Sequence, residues 1–129
     1  MVMVQKDYLL RQIELVSKAI CKMLGLEVEY HPLLGIVDEK GELAADGNLR
    51  YQLSLLLGEG RINEAEDLLF EHLEEHLNSE YIGVALDFYG TLAEMSEYEL
   101  GLRDFSRQEV LDGLEEVKRM AERIDNEAD

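Results

Sequence analysis

The sequence predicts an all-α fold, a compact bundle of about five helices built from antiparallel helical hairpins in a single domain spanning residues 1–129. Three observations carry that expectation. Apolar residues recur at spacings of three and four through most of the chain, which gathers them on one face of a helix. Aliphatic side chains far outnumber the 7% of aromatics, with a single proline and no tryptophan, a balance that favours helix over strand. The stretch Leu53–Phe70 reads as one helix ending, a turn bounded by Gly58 and Gly60, and a second helix folded back on the first. Both glycines are expected to take the positive φ that stops a helix, and Asn63 with Glu66 has the spacing of a capping box for the next one.

Length and charge bound the rest. A chain of 129 residues buries roughly two thirds of its unfolded surface, enough for a core without disulfide or metal. Cys21 is the only cysteine, which excludes an internal disulfide and a thiolate metal cluster. Met1–Asp7 has no basic flank leading into an apolar core, and no apolar run approaches a membrane span, so a soluble cytoplasmic protein is expected. The formal charge of -17 argues against nucleic acid or an anionic membrane as partner, because both require a surface that neutralises phosphates. That charge is uneven: residues 1–25 carry four basic and two acidic side chains, a net of +2, leaving -19 for the remainder. The first helix therefore reads either as one that docks on an acidic body, in this chain or in a second copy, or as a solvated charged face.

From Lys6 to Leu24, Tyr8, Leu9, Ile13, Leu15, Val16, Ala19, Ile20, Met23 and Leu24 form a wide apolar stripe, with Leu10 and Cys21 at its edge and Gln12 inside it. Gly25 ends this helix. Leu26–Tyr30 alternates like a strand and Asp38–Gly41 has turn chemistry, so residues 26–46 are expected to be mainly loop around His31 and Pro32. Leucines surround the helix from Gly47 or Asn48 to Leu57, which marks it as the central helix. The next, about Asn63–Leu77, buries Ala65, Leu68, Leu69, Leu73 and Leu77 and turns Glu64, Asp67, Glu71, Glu74 and Glu75 outward. Asn78 and Ser79 form a stop and restart before a largely apolar helix from Glu80 to about Met95. On its polar side Gly83 and Gly90 either admit a closely approaching helix or are tolerated surface glycines. Ser96–Glu99 and Ser106–Glu109 are S-x-x-E boxes, each opening a helix, the first short and the second a terminal helix with a narrower stripe through Val110, Leu114, Val117, Ala121 and Ile124.

Leu49–Leu77 resembles a tetratricopeptide unit, with Gly60 at the turn, Ile62 after it, Ala65 as the small residue at the helix crossing, and Leu69 beyond. The chain as a whole resembles a family of small all-helical bacterial proteins of unknown function. Lys6–Glu14, Gly60–Glu66 and Phe105–Glu109 carry that likeness. It implies an all-helical fold and brings no catalytic residue with it.

The sharpest chemical candidate is His72-Leu73-Glu74-Glu75-His76. Two histidines at i and i+4 are able to share a divalent ion, and the string matches the inverted zinc-protease pattern. Helical projection, however, sets both imidazoles in the apolar arc and Glu75 on the outer face, so His72 and His76 read as packed groups lining the groove between helices, with metal ligation the weaker reading. Cys21 has no histidine at local helical spacing, the serines read as caps or helix positions, and no glycine-rich phosphate loop follows a strand. No catalytic residue and no cofactor are implied.

The function expected is a protein–protein interaction module that binds a protein segment, or another copy of itself, through a groove between helices. Its acidic exterior favours a basic partner, with Tyr51, Tyr81, Tyr89 and Tyr98 as amphipathic contact area. The alternative is a ligand- or metal-responsive regulatory protein using His72 and His76, and an enzyme stands third.

Overall fold

The computed structural model describes residues 4–26, 41 and 46–127, which form six helices. They are α1 (Val4–Leu24), α2 (Gly47–Gly58), α3 (Ile62–Glu75), α4 (Ser79–Ala93), α5 (Glu97–Leu102) and α6 (Arg107–Glu127). No strand occurs among the described residues. The all-α expectation therefore holds, with the short α5 bringing the count to six. Apart from Leu26 and Gly41, the strand-like and turn-like stretches read between residues 26 and 46 lie outside the described residues.

Three helices end in the same way, with one residue in the left-handed region and backbone bonds closing back over the last turn. Gly25 (φ 69°) ends α1, with the Leu26 N–H donating to the Cys21 carbonyl at 2.8 Å. Gly60 (φ 76°) ends α2: its N–H reaches the Leu57 carbonyl at 3.0 Å and that of Arg61 the Leu56 carbonyl at 2.9 Å. Gly58 corrects the expectation of two left-handed glycines, because it is the last residue of α2 and φ is positive only at Gly60 of the pair. At α5 the left-handed position is taken by Asp104 (φ 59°), the one non-glycine there among the described residues, and Phe105 completes the motif with a 3.0 Å bond to the Leu100 carbonyl. Both Phe105 and Leu100 are buried, the apolar contact that accompanies this ending.

Helix starts divide between side-chain and backbone solutions. Ser96 and Glu99 form the full reciprocal box on α5, and Asn78 accepts from the Tyr81 N–H on α4. Ser106 accepts from the Glu109 N–H at 3.2 Å and donates to the Glu109 carboxylate. The Asn63–Glu66 box does not form. α3 begins one residue earlier, at Ile62, so Asn63 already lies inside the helix; its amide donates instead to the Asp104 carbonyl at 3.0 Å, tying the α2–α3 turn to the end of α5.

Each of the six helices contributes to one core. The central element is α4 and not α2, with Ile82, Val84–Tyr89 and Leu92 buried almost all round. α2 buries Leu49 and Leu53 but leaves Tyr51 and Leu55 about half exposed, because its packing is chiefly against α3. α1 lies along α6 and touches α4, burying Leu9, Ile13, Ser17, Ile20 and Cys21. Its expected stripe was too wide: Tyr8 (56% exposed) and Leu15 (53%) face solvent, whereas Cys21 is inside the core and not at its edge. Burial, and next the neighbouring Asp87 carboxylate, raises the Cys21 thiol pKa, the opposite of what a nucleophile needs.

One buried polar group joins the hairpin to this body. Arg50 of α2 donates to Asp46 at 3.1 Å, one turn back, and to Asp87 of α4 at 2.8 Å, all three side chains being nearly sealed from water. Charges so enclosed need paired, directional contacts, and these fix how α2 sits on α4.

Candidate functional site

α3 and α6 do not close against one another along their full length. Between them runs an open groove of about 380 Å³, walled by Glu66, Asp67 and Phe70 from α3 and by Glu109, Asp112, Gly113 and Glu116 from α6. Five of those seven residues are carboxylates and one is a half-buried aromatic ring.

Helical spacing accounts for both walls. On α3 the core takes Ile62, Ala65, Leu69 and Leu73, so Glu66 and Phe70, one position on from Ala65 and Leu69, fall at the border of the buried arc. On α6 the core takes Val110, Leu114, Val117 and Ala121, and Asp112 and Glu116, four apart, share the flank beside it. Behind both walls, outside the lining of the groove itself, lies Tyr89 of α4. Tyr89, fully buried, passes between the two helices, and its hydroxyl donates to Glu66 at 2.5 Å. Gly113 makes room for it: a Cβ there would overlap the Tyr89 hydroxyl and stand 2.7 Å from ring carbon Cε1. Burial and the Glu66 charge together raise the phenol pKa strongly, so Tyr89 remains a donor. Burial is also the leading cause that raises the Glu66 pKa; the Tyr89 hydrogen bond opposes it, and the charges of Glu109, Asp67 and Asp112 add to it. The groove thus holds negative charge at close quarters with one member partly desolvated, an arrangement relieved by a cation and worsened by an anion.

A second concavity, about 400 Å³, lies at the N-terminal end of α3 among Leu57, Gly58, Ile62, Thr91, Glu94, Met95, Glu99 and Arg103. Its charges are mixed, and Arg103 donates to the Glu99 carbonyl at 3.0 Å. It lacks the single-signed walls of the α3–α6 groove.

His72 and His76 sit elsewhere. His72 is half-buried, with Nδ1 3.1 Å from the Leu68 carbonyl, while His76 is exposed at the C-terminal end of α3. Their rings flank Tyr81 of α4, each with its centroid 6.2 Å from that of the phenol. They are packed against an aromatic neighbour, though only His72 has the burial expected of both. No group of three or more His, Cys, Asp or Glu with metal-binding geometry occurs among the described residues. Of the four tyrosines read as contact area, Tyr51 and Tyr98 are exposed, Tyr81 is half-buried, and Tyr89 is wholly inside. A Cβ on Gly83 would meet open space, whereas one on Gly113 of α6 would overlap Tyr89.

A family model described as a family of unknown function (DUF6483) matches residues 3–122. The chain belongs to that family. No match was found among curated proteins or solved structures. DUF6483 thus accounts for nearly the whole chain and supplies no reaction, ligand or partner. No helix of the described residues is long and apolar enough to cross a membrane.

Proposed function

We propose that this protein is an interaction module that receives a basic segment of a protein partner in the groove between α3 and α6. The observation that carries the reading is the composition of the groove: Glu66, Asp67, Glu109, Asp112 and Glu116 around the ring of Phe70. A shallow groove edged by carboxylates suits Arg and Lys heads, and an aromatic face within it suits a guanidinium or an aliphatic stem. The α2–α3 hairpin, tetratricopeptide-like in the spacing of its sequence, acts as the platform that presents α3. The work of the molecule in this reading is contact, with no reaction assigned.

Calorimetric titration with a synthetic amphipathic peptide carrying Arg and Lys beside Leu and Tyr tests it. Binding in the micromolar range is expected, weakening at least tenfold when Asp112 and Glu116 are replaced by Lys, while a peptide with Glu in the basic positions does not bind. Equal binding of both peptides, or binding unchanged in the Asp112→Lys/Glu116→Lys variant, contradicts the proposal.

A further inference from the structure

Opposite the side of α1 that packs into the core lies a stripe that the fold leaves facing water. Tyr8, Arg11, Leu15 and Lys22 fall there at spacings of three, four and seven, and all four are exposed. Lys18 shares this flank, with its ammonium 2.8 Å from Glu14. Two of the large apolar side chains that remain exposed on this molecule, Tyr8 and Leu15, thus alternate with the cations Arg11 and Lys22 on the one basic segment of a strongly acidic chain. The stripe is about 21 Å long from Tyr8 to Lys22, and the α6 wall of the groove runs about 10 Å from Glu109 to Glu116, so one helix of this kind overspans it.

The two surfaces cannot meet within one chain. α1 is already committed to α6 and α4 through Leu9, Ile13 and Ile20, and its stripe points the other way. Turning it inward would expose that buried face.

Resting on the reading of the groove given above, we propose that its occupant is a second copy of this chain: the α1 stripe of one molecule lies in the α3–α6 groove of another. Arg11 and Lys22 meet the groove carboxylates while Tyr8 and Leu15 cover Phe70. Each molecule owns one stripe and one groove, and in the two-fold arrangement each stripe fills the other copy's groove, leaving neither surface unpaired as at the ends of an open chain. Each copy carries -17, and this long-range repulsion is screened over about 8 Å at physiological ionic strength, leaving contact-range complementarity to decide association.

The test is a charge swap read by analytical ultracentrifugation at physiological salt. The full chain is expected to dimerise with rising concentration. Arg11→Glu/Lys22→Glu places an acidic stripe against acidic grooves, and Asp112→Lys/Glu116→Lys places basic grooves against a basic stripe. Each variant alone is expected to associate at least tenfold more weakly, and an equimolar mixture to recover dimer, since both mixed contacts are then complementary. Should either variant fail to fold, carbodiimide coupling of unlabelled and isotope-labelled wild-type chains decides: intermolecular bonds from Lys22 to Asp112 or Glu116 support the contact, and dimers coupled only elsewhere overturn it. A wild-type monomer at every concentration overturns it, as does a dimer indifferent to both sets of reversals. A monomer that still binds the basic peptide at the groove refutes self-docking alone, whereas one that binds neither refutes the groove reading as well.

Discussion

The two flanks of α6 are built on different terms. Toward α1 and α4 it offers Val110, Leu114, Val117, Met120 and Ala121, all buried, and the seam is tight enough that Gly113 has no space for a methyl group. Toward α3 it offers Glu109, Asp112 and Glu116, and the space stays open. The apolar flank holds the helix in place, and that rigidity lets the acidic flank keep like charges close together, a geometry that a mobile helix would relax. Substitutions on the first flank should change stability, and those on the second should change binding.

The largest effect is expected where the far wall of the groove is anchored. Arg50→Ala takes the cation from two nearly sealed carboxylates and releases the α2–α3 hairpin from α4, so denaturant unfolding should register a loss of about 3–5 kcal/mol. A loss of only a few tenths would mean that packing alone positions the hairpin. Next comes the seam itself. Gly113→Ala adds helix propensity but drives a methyl group into Tyr89, which has no exposed side to move toward, and about 2–3 kcal/mol should be lost in thermal or chemical melting.

A smaller effect separates charge from hydrogen bonding inside the groove. The folded-state pKa of Glu66 is raised above its ordinary 4.5, chiefly by burial, so the charged form weakens the fold. Glu66 therefore favours the folded state fully below pH 4.5, where it is protonated folded or unfolded, and that contribution is lost as pH rises through the folded pKa. Glu66→Gln keeps an acceptor for the Tyr89 hydroxyl without the charge. It should be more stable than the wild type near neutral pH, the margin closing as the pH falls toward 4.5. A margin that does not vary with pH would point to packing. Smallest is Gly83→Ala on α4, where a Cβ meets nothing within 4 Å; a gain of up to about 1 kcal/mol is expected, opposite in sign to the change at Gly113.

Much of this fold is legible in the sequence because its signals are local. Gly25, Gly60, Asn78 and Ser96 mark helix ends through their own backbone or side-chain chemistry, and α3 and α6 bury most of the stripes that their periodicity assigns. What stays hidden depends on which neighbour arrives. Periodicity ranks the sides of α1 and α2 but cannot say how wide an arc will be covered, so Tyr8, Leu15 and Leu55 look internal and are not. The groove is nonlocal too, since Glu66 and Asp112 lie on separate helices and neither is distinctive among 29 acidic residues. Two signals were available. Asp87 is a lone charge in the apolar run Val84–Tyr89, which calls for a buried partner such as Arg50. Gly113 interrupts the apolar stripe of α6 beside Val110 and Leu114, whereas Gly83 sits on a polar flank where nothing needs the room.

The most direct test of the groove as the working surface is residue-resolved mapping by amide chemical shifts while the basic amphipathic peptide is added. Shifts gathered on Glu66–Phe70 and Glu109–Glu116, and absent after Asp112→Lys/Glu116→Lys, are the expected result. Shifts centred on the concavity beside α5, or none at saturating peptide, would contradict the account.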